Sequence, residues 1–170
     1  MQSTSRYGCD LPAPGDNDYP HFHARWLEEI GDDRIAAIDF EESGGDAEEV
    51  REFGLSALSR VEQALILESL EVGLMPVKTI QRHAPSSYRL KHAAENILRD
   101  TMPYVSNLQV RTCMRIIGYR HTDDGHYPRY NVSLKSWHRY EARASLGRCG
   151  VTYPGVAPRR GKVFAGKAVV

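Results

Sequence analysis

Asn107, Arg111 and Arg115 stand four residues apart in SNLQVRTCMRIIG, so on a helix the three side chains share one face. Their types suit nucleic-acid reading. An arginine guanidinium can donate two hydrogen bonds to a guanine edge in the major groove, and an asparagine amide can pair with adenine. Base contacts come from the first turns of such a helix, which favours Asn107 and Arg111. Arg89 and Lys91 precede this segment, and Arg120, His126 and Arg129 follow it. Those cations could hold phosphates, which positions a protein on nucleic acid without specifying sequence.

The charge around these residues is sorted along the chain. Residues 1–75 hold seventeen Asp/Glu and five Arg, a formal −12, and residues 76–170 hold five Asp/Glu and seventeen Lys/Arg, a formal +12. A basic half of this size points to a polyanionic partner, DNA or RNA. The acidic half offers a second kind of surface. Asp39, Glu41, Glu42, Asp46, Glu48 and Glu49, with Asp32, Asp33 and Glu52, fall within 21 residues. A surface that acidic could bind a basic protein groove. In size and acidity the chain resembles small phage and mobile-element inhibitors of nucleases, anti-CRISPR and DNA-mimic proteins among them. The two halves could also meet each other, within one chain or between copies as a homodimer.

Catalytic readings are less complete. IAAIDFEESGG resembles the first motif of DEDD-type exonucleases, an apolar strand followed by Asp-x-Glu. On a strand, Asp39 and Glu41 would point to one side and could share metal ions. That family also implies later carboxylates and a late His or Tyr with an Asp five residues on. The second half has only Glu95, Asp100, Asp123, Asp124 and Glu141, none in such a motif. His21 with His23, and His121 with His126, are close in sequence, but nothing completes either pair to the three or four ligands zinc needs. No P-loop or GxSxG elbow occurs. The expectation is a non-enzyme with no cofactor and no metal.

The elements that must position these residues read as mainly α (α+β). Residues 1–19, with Pro12, Pro14 and Gly15, form a mobile lead-in. PHFHARWLEEI spaces Phe22, Trp26, Leu27 and Ile30 for a helix ended by Gly31, and Asp32 caps a second one over DRIAAIDFEE. Asp46 opens a long helix to about Val72, with Val50, Phe53, Leu58, Val61, Leu65 and Leu70 inward. Gly73 and Pro76 end it. VKTIQRHAP is a connector. Ser86 caps a helix to about Arg99, and Pro103 marks a turn. Ser106 and Gln109 form a capping box for a helix whose stripe is Val110, Cys113, Met114 and Ile117, stopped by Gly118. Asp124-Gly125 signals a β-hairpin, with Pro128 on an edge strand. A last helix runs from Ser136 to Leu146, and 147–170 is a flexible basic tail.

Residues 86–134 thus read helix, turn, capped helix, glycine stop, hairpin. That order resembles the second half of a winged helix-turn-helix domain, with the Ser106-capped helix as recognition helix and the hairpin as wing. The segments SSYRLKH, YVSN, MRIIGYR and PRYNVS also resemble small phage or mobile-element proteins and the winged-helix tail of viral primase-helicases. The resemblance covers about a third of the chain and implies a nucleic-acid-processing context, with no catalytic residue. The organisation expected is an acidic helical unit over 20–75 and a basic winged-helix-like unit over 76–146. Three widely spaced cysteines, no apolar signal core and no run of roughly 20 apolar residues point to a cytoplasmic protein with no membrane partner. The leading expectation is a non-catalytic nucleic-acid-binding accessory or regulatory protein. The alternative is a protein-binding inhibitor using the acidic half, and the third is a DEDD-like exonuclease.

Overall fold

Helices dominate because local caps and apolar spacing agree along most of the chain. A computed structural model describes residues 30–145, with 103 and 124 excepted. It contains six helices: α1 (Asp32–Glu42), α2 (Ala47–Phe53), α3 (Arg60–Gly73), α4 (Ser87–Leu98), α5 (Asn107–Ile117) and α6 (Leu134–Ser145), with a short 3-10 turn at Leu55–Ala57 between α2 and α3. The architecture is mainly α. The expected lead-in, the helix over 20–30 except Ile30, and the tail from 147 lie outside the described residues.

Several boundaries follow the cap chemistry of the sequence. The Ser86 hydroxyl accepts from Arg89 N–H at the start of α4. Ser106 and Gln109 form the expected capping box on α5, and Gly118 ends that helix in the left-handed region at φ 92. A side chain at that φ would be strained, which is the usual reason for glycine there.

The long helix expected from Asp46 to Val72 is instead two helices. A second capping box starts α3: Ser59 Oγ accepts from Glu62 N–H, and Glu62 returns a carboxylate to Ser59 N–H at 3.0 Å. Between α2 and α3 the backbone leaves the helix, and its exposed peptide groups must find partners. Asp39 accepts from Leu55 and Ser56 N–H, Gln63 Nε2 donates to the Leu55 and Leu58 carbonyls, and Ser106 Oγ donates to the Phe53 carbonyl at 2.6 Å. Tertiary partners thus replace the helical ladder.

The expected β-hairpin over 119–132 does not form strands. Among the described residues, β pairing is limited to isolated antiparallel bridges: Pro76 with Val132, Ser86 with Arg129, and His121 with Tyr130. Residues 128–133 run between two irregular neighbours. On one side Val77 N–H donates to the Asn131 carbonyl at 2.8 Å and Ser87 N–H to the Pro128 carbonyl at 2.8 Å; on the other, Thr122 N–H donates to the Arg129 carbonyl at 3.0 Å. The Asn131 side chain spans both sides, accepting from Arg120 N–H and donating to the Val77 carbonyl. Pro128, lacking an N–H, and a side chain bonded into the ladder both interrupt regular pairing.

Acidic and basic segments contribute to one core. Ile35 of α1, Leu65 to Leu67 of α3, Leu90 of α4, Met114 of α5 and Trp137 of α6 belong to the same buried cluster. Tyr140 of α6 is buried with its hydroxyl 2.8 Å from Ser69 Oγ. No helix among the described residues is long and apolar enough to cross a membrane.

Burial raises the Tyr130 and Tyr140 phenols above their ordinary value of 10.0. For Tyr140 the hydrogen bond to Ser69 works against burial and loses. A raised folded pKa leaves the contribution intact below the unfolded value and erodes it as pH climbs above that value. The urea midpoint should therefore fall as pH rises past about 10, with tyrosinate absorbance from these two rings appearing only as the chain unfolds. A Tyr140→Phe chain should lose less of its midpoint over the same interval.

Candidate nucleic-acid interface

The helix expected to read bases lies in the middle of the fold. Eight residues of α5 are buried, including Gln109 and Thr112 beside the apolar stripe. Its outer side is covered by α1, and this position has a physical cause. Asp39 of α1 is fully buried and accepts four hydrogen bonds: Leu55 N–H at 3.1 Å, Ser56 N–H at 2.8 Å, Ser56 Oγ at 2.7 Å and Thr112 Oγ1 at 2.6 Å. One carboxylate thereby ties α1, the 3-10 turn and α5 together. Gly54 makes the approach possible, because a Cβ there would stand 2.7 Å from Asp39 Oδ2 and 2.4 Å from the Val50 carbonyl oxygen.

Three residues beyond Asp39, Glu42 faces the arginines. Its carboxylate accepts from Arg111 Nε at 3.1 Å and from Arg115 Nη1 at 3.2 Å. Arg115 also pairs with Glu41. Burial disfavours the Arg115 cation, and its hydrogen bonds to the Glu41 and Glu42 carboxylates outweigh that, so its pKa is raised. The Arg111 side chain is 17% exposed and that of Glu42 is 7%, too enclosed for Arg111 to reach a base edge while the pair holds.

The other expected contacts separate into two groups. Arg89 pairs with Glu141 at 2.6 Å and lies over the Trp137 ring, and Lys91 pairs with Glu95 at 2.9 Å and lies over the Tyr104 ring. Asn107 Nδ2 donates to the His126 carbonyl at 3.1 Å, fastening the 125–128 turn to the start of α5. Arg120, His126 and Arg129 are exposed on the irregular segment that follows. The Arg129 guanidinium donates to the Arg82 carbonyl, bringing a second exposed arginine beside it. Arg82, Arg120 and Arg129 have no ion pair among the described residues.

Beside these cations is an aromatic group the sequence reading did not single out. Tyr88 packs edge-on against His92 at 4.4 Å and against Tyr127 at 5.2 Å between ring centroids. Tyr88 is 48% exposed and Tyr127 54%. The signal was present: Tyr88 falls on the polar face of α4, where the apolar stripe of Leu90, Ala93, Ala94 and Ile97 has no use for it.

The acidic candidates also divide. Asp39 is in the core and Glu42 is enclosed in its arginine pair, so neither offers charge to a partner protein. Asp46 caps α2 by accepting from Glu48 and Glu49 N–H. Glu48 pairs with Arg51 at the surface. Residues 32–42 are helical, which removes the strand on which Asp39 and Glu41 would converge; Asp39 turns inward and Glu41 outward. Cys113 is buried, and its thiol pKa is raised by burial and then by Asp39. No group of three or more His, Cys, Asp or Glu among the described residues could hold a metal ion. No known family model matches the chain, and no curated protein or solved structure is significantly similar to it.

Replacing Asp39 with Ala strands four donors and should lower unfolding free energy by about 4 kcal/mol, the scale of a lost buried polar network. Denaturant titration with unchanged slope would check it. Arg111→Ala leaves an enclosed carboxylate with one fewer partner and should cost about 3 kcal/mol, whereas Arg115→Ala, on a half-open pair, should cost about 1 kcal/mol or less. Equal losses for the two variants would contradict the enclosed-pair assignment.

Proposed function

We propose that this is a nucleic-acid-binding protein with an accessory or regulatory role and no catalysis of its own. The observation that carries the reading is the set of exposed arginines Arg82, Arg120 and Arg129, which have no ion pair among the described residues and are held on one backbone assembly. Cations without a carboxylate partner keep their charge available to phosphates, and phosphate contacts supply much of the affinity for nucleic acid. The contact surface in this reading is the 76–86 and 119–132 assembly. Arg111 and Arg115 serve the fold, so the docking differs from that of a recognition helix in a groove. A mobile-element setting and a cytoplasmic location belong to the same proposal.

The rival reading, an inhibitor that offers an acidic face to a basic protein, draws on Glu48, Glu49 and Glu52 of α2. It has less to work with, since Glu41 and Glu42 are already engaged by arginines.

A mobility-shift titration of the full chain against salt tests the proposal. Binding should weaken steeply with salt, because phosphate contacts release counterions. Arg120→Ala with Arg129→Ala should weaken binding about tenfold or more and reduce the salt slope by roughly 2, one per phosphate contact. Arg115→Ala should leave both unchanged. Failure to bind duplex or single strands at low salt would overturn the reading.

A further inference from the structure

We infer that the nucleic acid this surface takes is single-stranded, with unpaired bases stacking on Tyr88 and Tyr127. This rests on the reading that the Arg82–Arg129 surface binds nucleic acid. Single-strand sites combine aromatic rings that stack on bases with cations that follow the backbone, and both parts are present side by side. Tyr88 lies in the first turn of α4, one residue beyond Ser87, whose N–H bonds to Pro128, and two beyond Ser86, which bridges to Arg129. Tyr127 immediately precedes Pro128 and meets the Tyr88 ring at 68°. The rings therefore sit beside the backbone bridge that carries Arg129.

Their platform is anchored from two directions. The carbonyl of His126 is held by Asn107 of α5, and the carbonyl of Pro128 by Ser87 of α4. Tyr127 stands between these two anchors, so its backbone is fixed while its ring stays half exposed. A ring ordered in advance loses little entropy on stacking. The duplex alternative lacks its reading parts. Helix α5 is enclosed by α1, and the described residues of 119–132 carry no strand ladder to act as a wing.

The test compares an unstructured oligothymidylate, an abasic oligonucleotide of equal length and a duplex by fluorescence anisotropy at one salt concentration. The full chain should prefer the single strand to the duplex. Tyr88→Ala and Tyr127→Ala should each weaken oligothymidylate binding about tenfold, within the range of one lost base stack, with the salt slope unchanged. Tyr88→Phe and Tyr127→Phe should retain it, since the ring and not the hydroxyl stacks. Binding to the abasic strand should be weaker and insensitive to all four variants. Tighter binding to the duplex, or equal loss on abasic and base-bearing strands, would overturn the inference while leaving the arginine surface standing. No binding to any of the three would remove both. Both tyrosines are exposed, and an unchanged thermal midpoint for each variant would separate lost stacking from lost folding.

Discussion

The break between α2 and α3 sets the arrangement of everything around it. A chain that leaves a helix inside a core must satisfy each freed peptide group. Here the partners come from three different elements: Asp39 on α1, Gln63 on α3, and Ser106 at the cap of α5. Asp39 is the most connected of them, because the same carboxylate also takes the Thr112 hydroxyl. Its position fixes α1 across α5. Once α1 is there, Glu42 must lie beside Arg111 and Arg115, one helical turn further along. The ion pairs are thus a consequence of how the break is satisfied.

That geometry changes the meaning of the charge split. The −12 and +12 halves of the sequence do not present two intact surfaces. Part of each is already engaged: Glu41 and Glu42 pair with α5 across the halves, Asp32 with Arg60 within the acidic half, and Arg89 with Glu141 and Lys91 with Glu95 within the basic half. An enclosed pair such as Arg111–Glu42 contributes little net stability over apolar packing, because both ions give up their water. The pairs of Glu41 and Glu42 with Arg111 and Arg115 do specify how α1 registers on α5. The charge left over for a partner is what the fold does not use, and on the basic side part of it, Arg82, Arg120 and Arg129, stands where backbone pairing is irregular.

Local signals in the sequence were legible and long-range ones were not. The Ser86 and Ser106 caps, the Gly118 stop and the stripe of α5 are written within a few residues of one another, and each appears in the structure as read. The break at 54–59 was legible in part: Ser59 and Glu62 spell a capping box, but the apolar spacing of Val50, Phe53 and Leu58 argued for a continuous helix. Only an acceptor from a distant segment, Asp39, decided between them. The outward face of α5 was likewise undecidable locally. Arg111 and Arg115 have the spacing of a solvated or ligand-reading face, and nothing nearby in sequence announces that Glu42 will cover it. The Asp124-Gly125 turn suggested strands, and the described residues around it show isolated bridges, with Pro128 and the Asn131 side chain interrupting the pairing.

A helix that reads a groove must keep one face bare, whereas α5 is needed as a core element on nearly every side. The chain cannot have both, since exposing Arg111 would leave Glu42 enclosed with one partner fewer, at a cost of several kcal/mol. A binding surface is easier to hold on a segment the core does not need on both faces. Residues 119–132 meet that condition: Tyr119, Tyr130 and Val132 anchor inward, while Arg120, Tyr127 and Arg129 face out. On this argument the same constraint that closes the helix to a partner places the available cations and rings on the loop beside it.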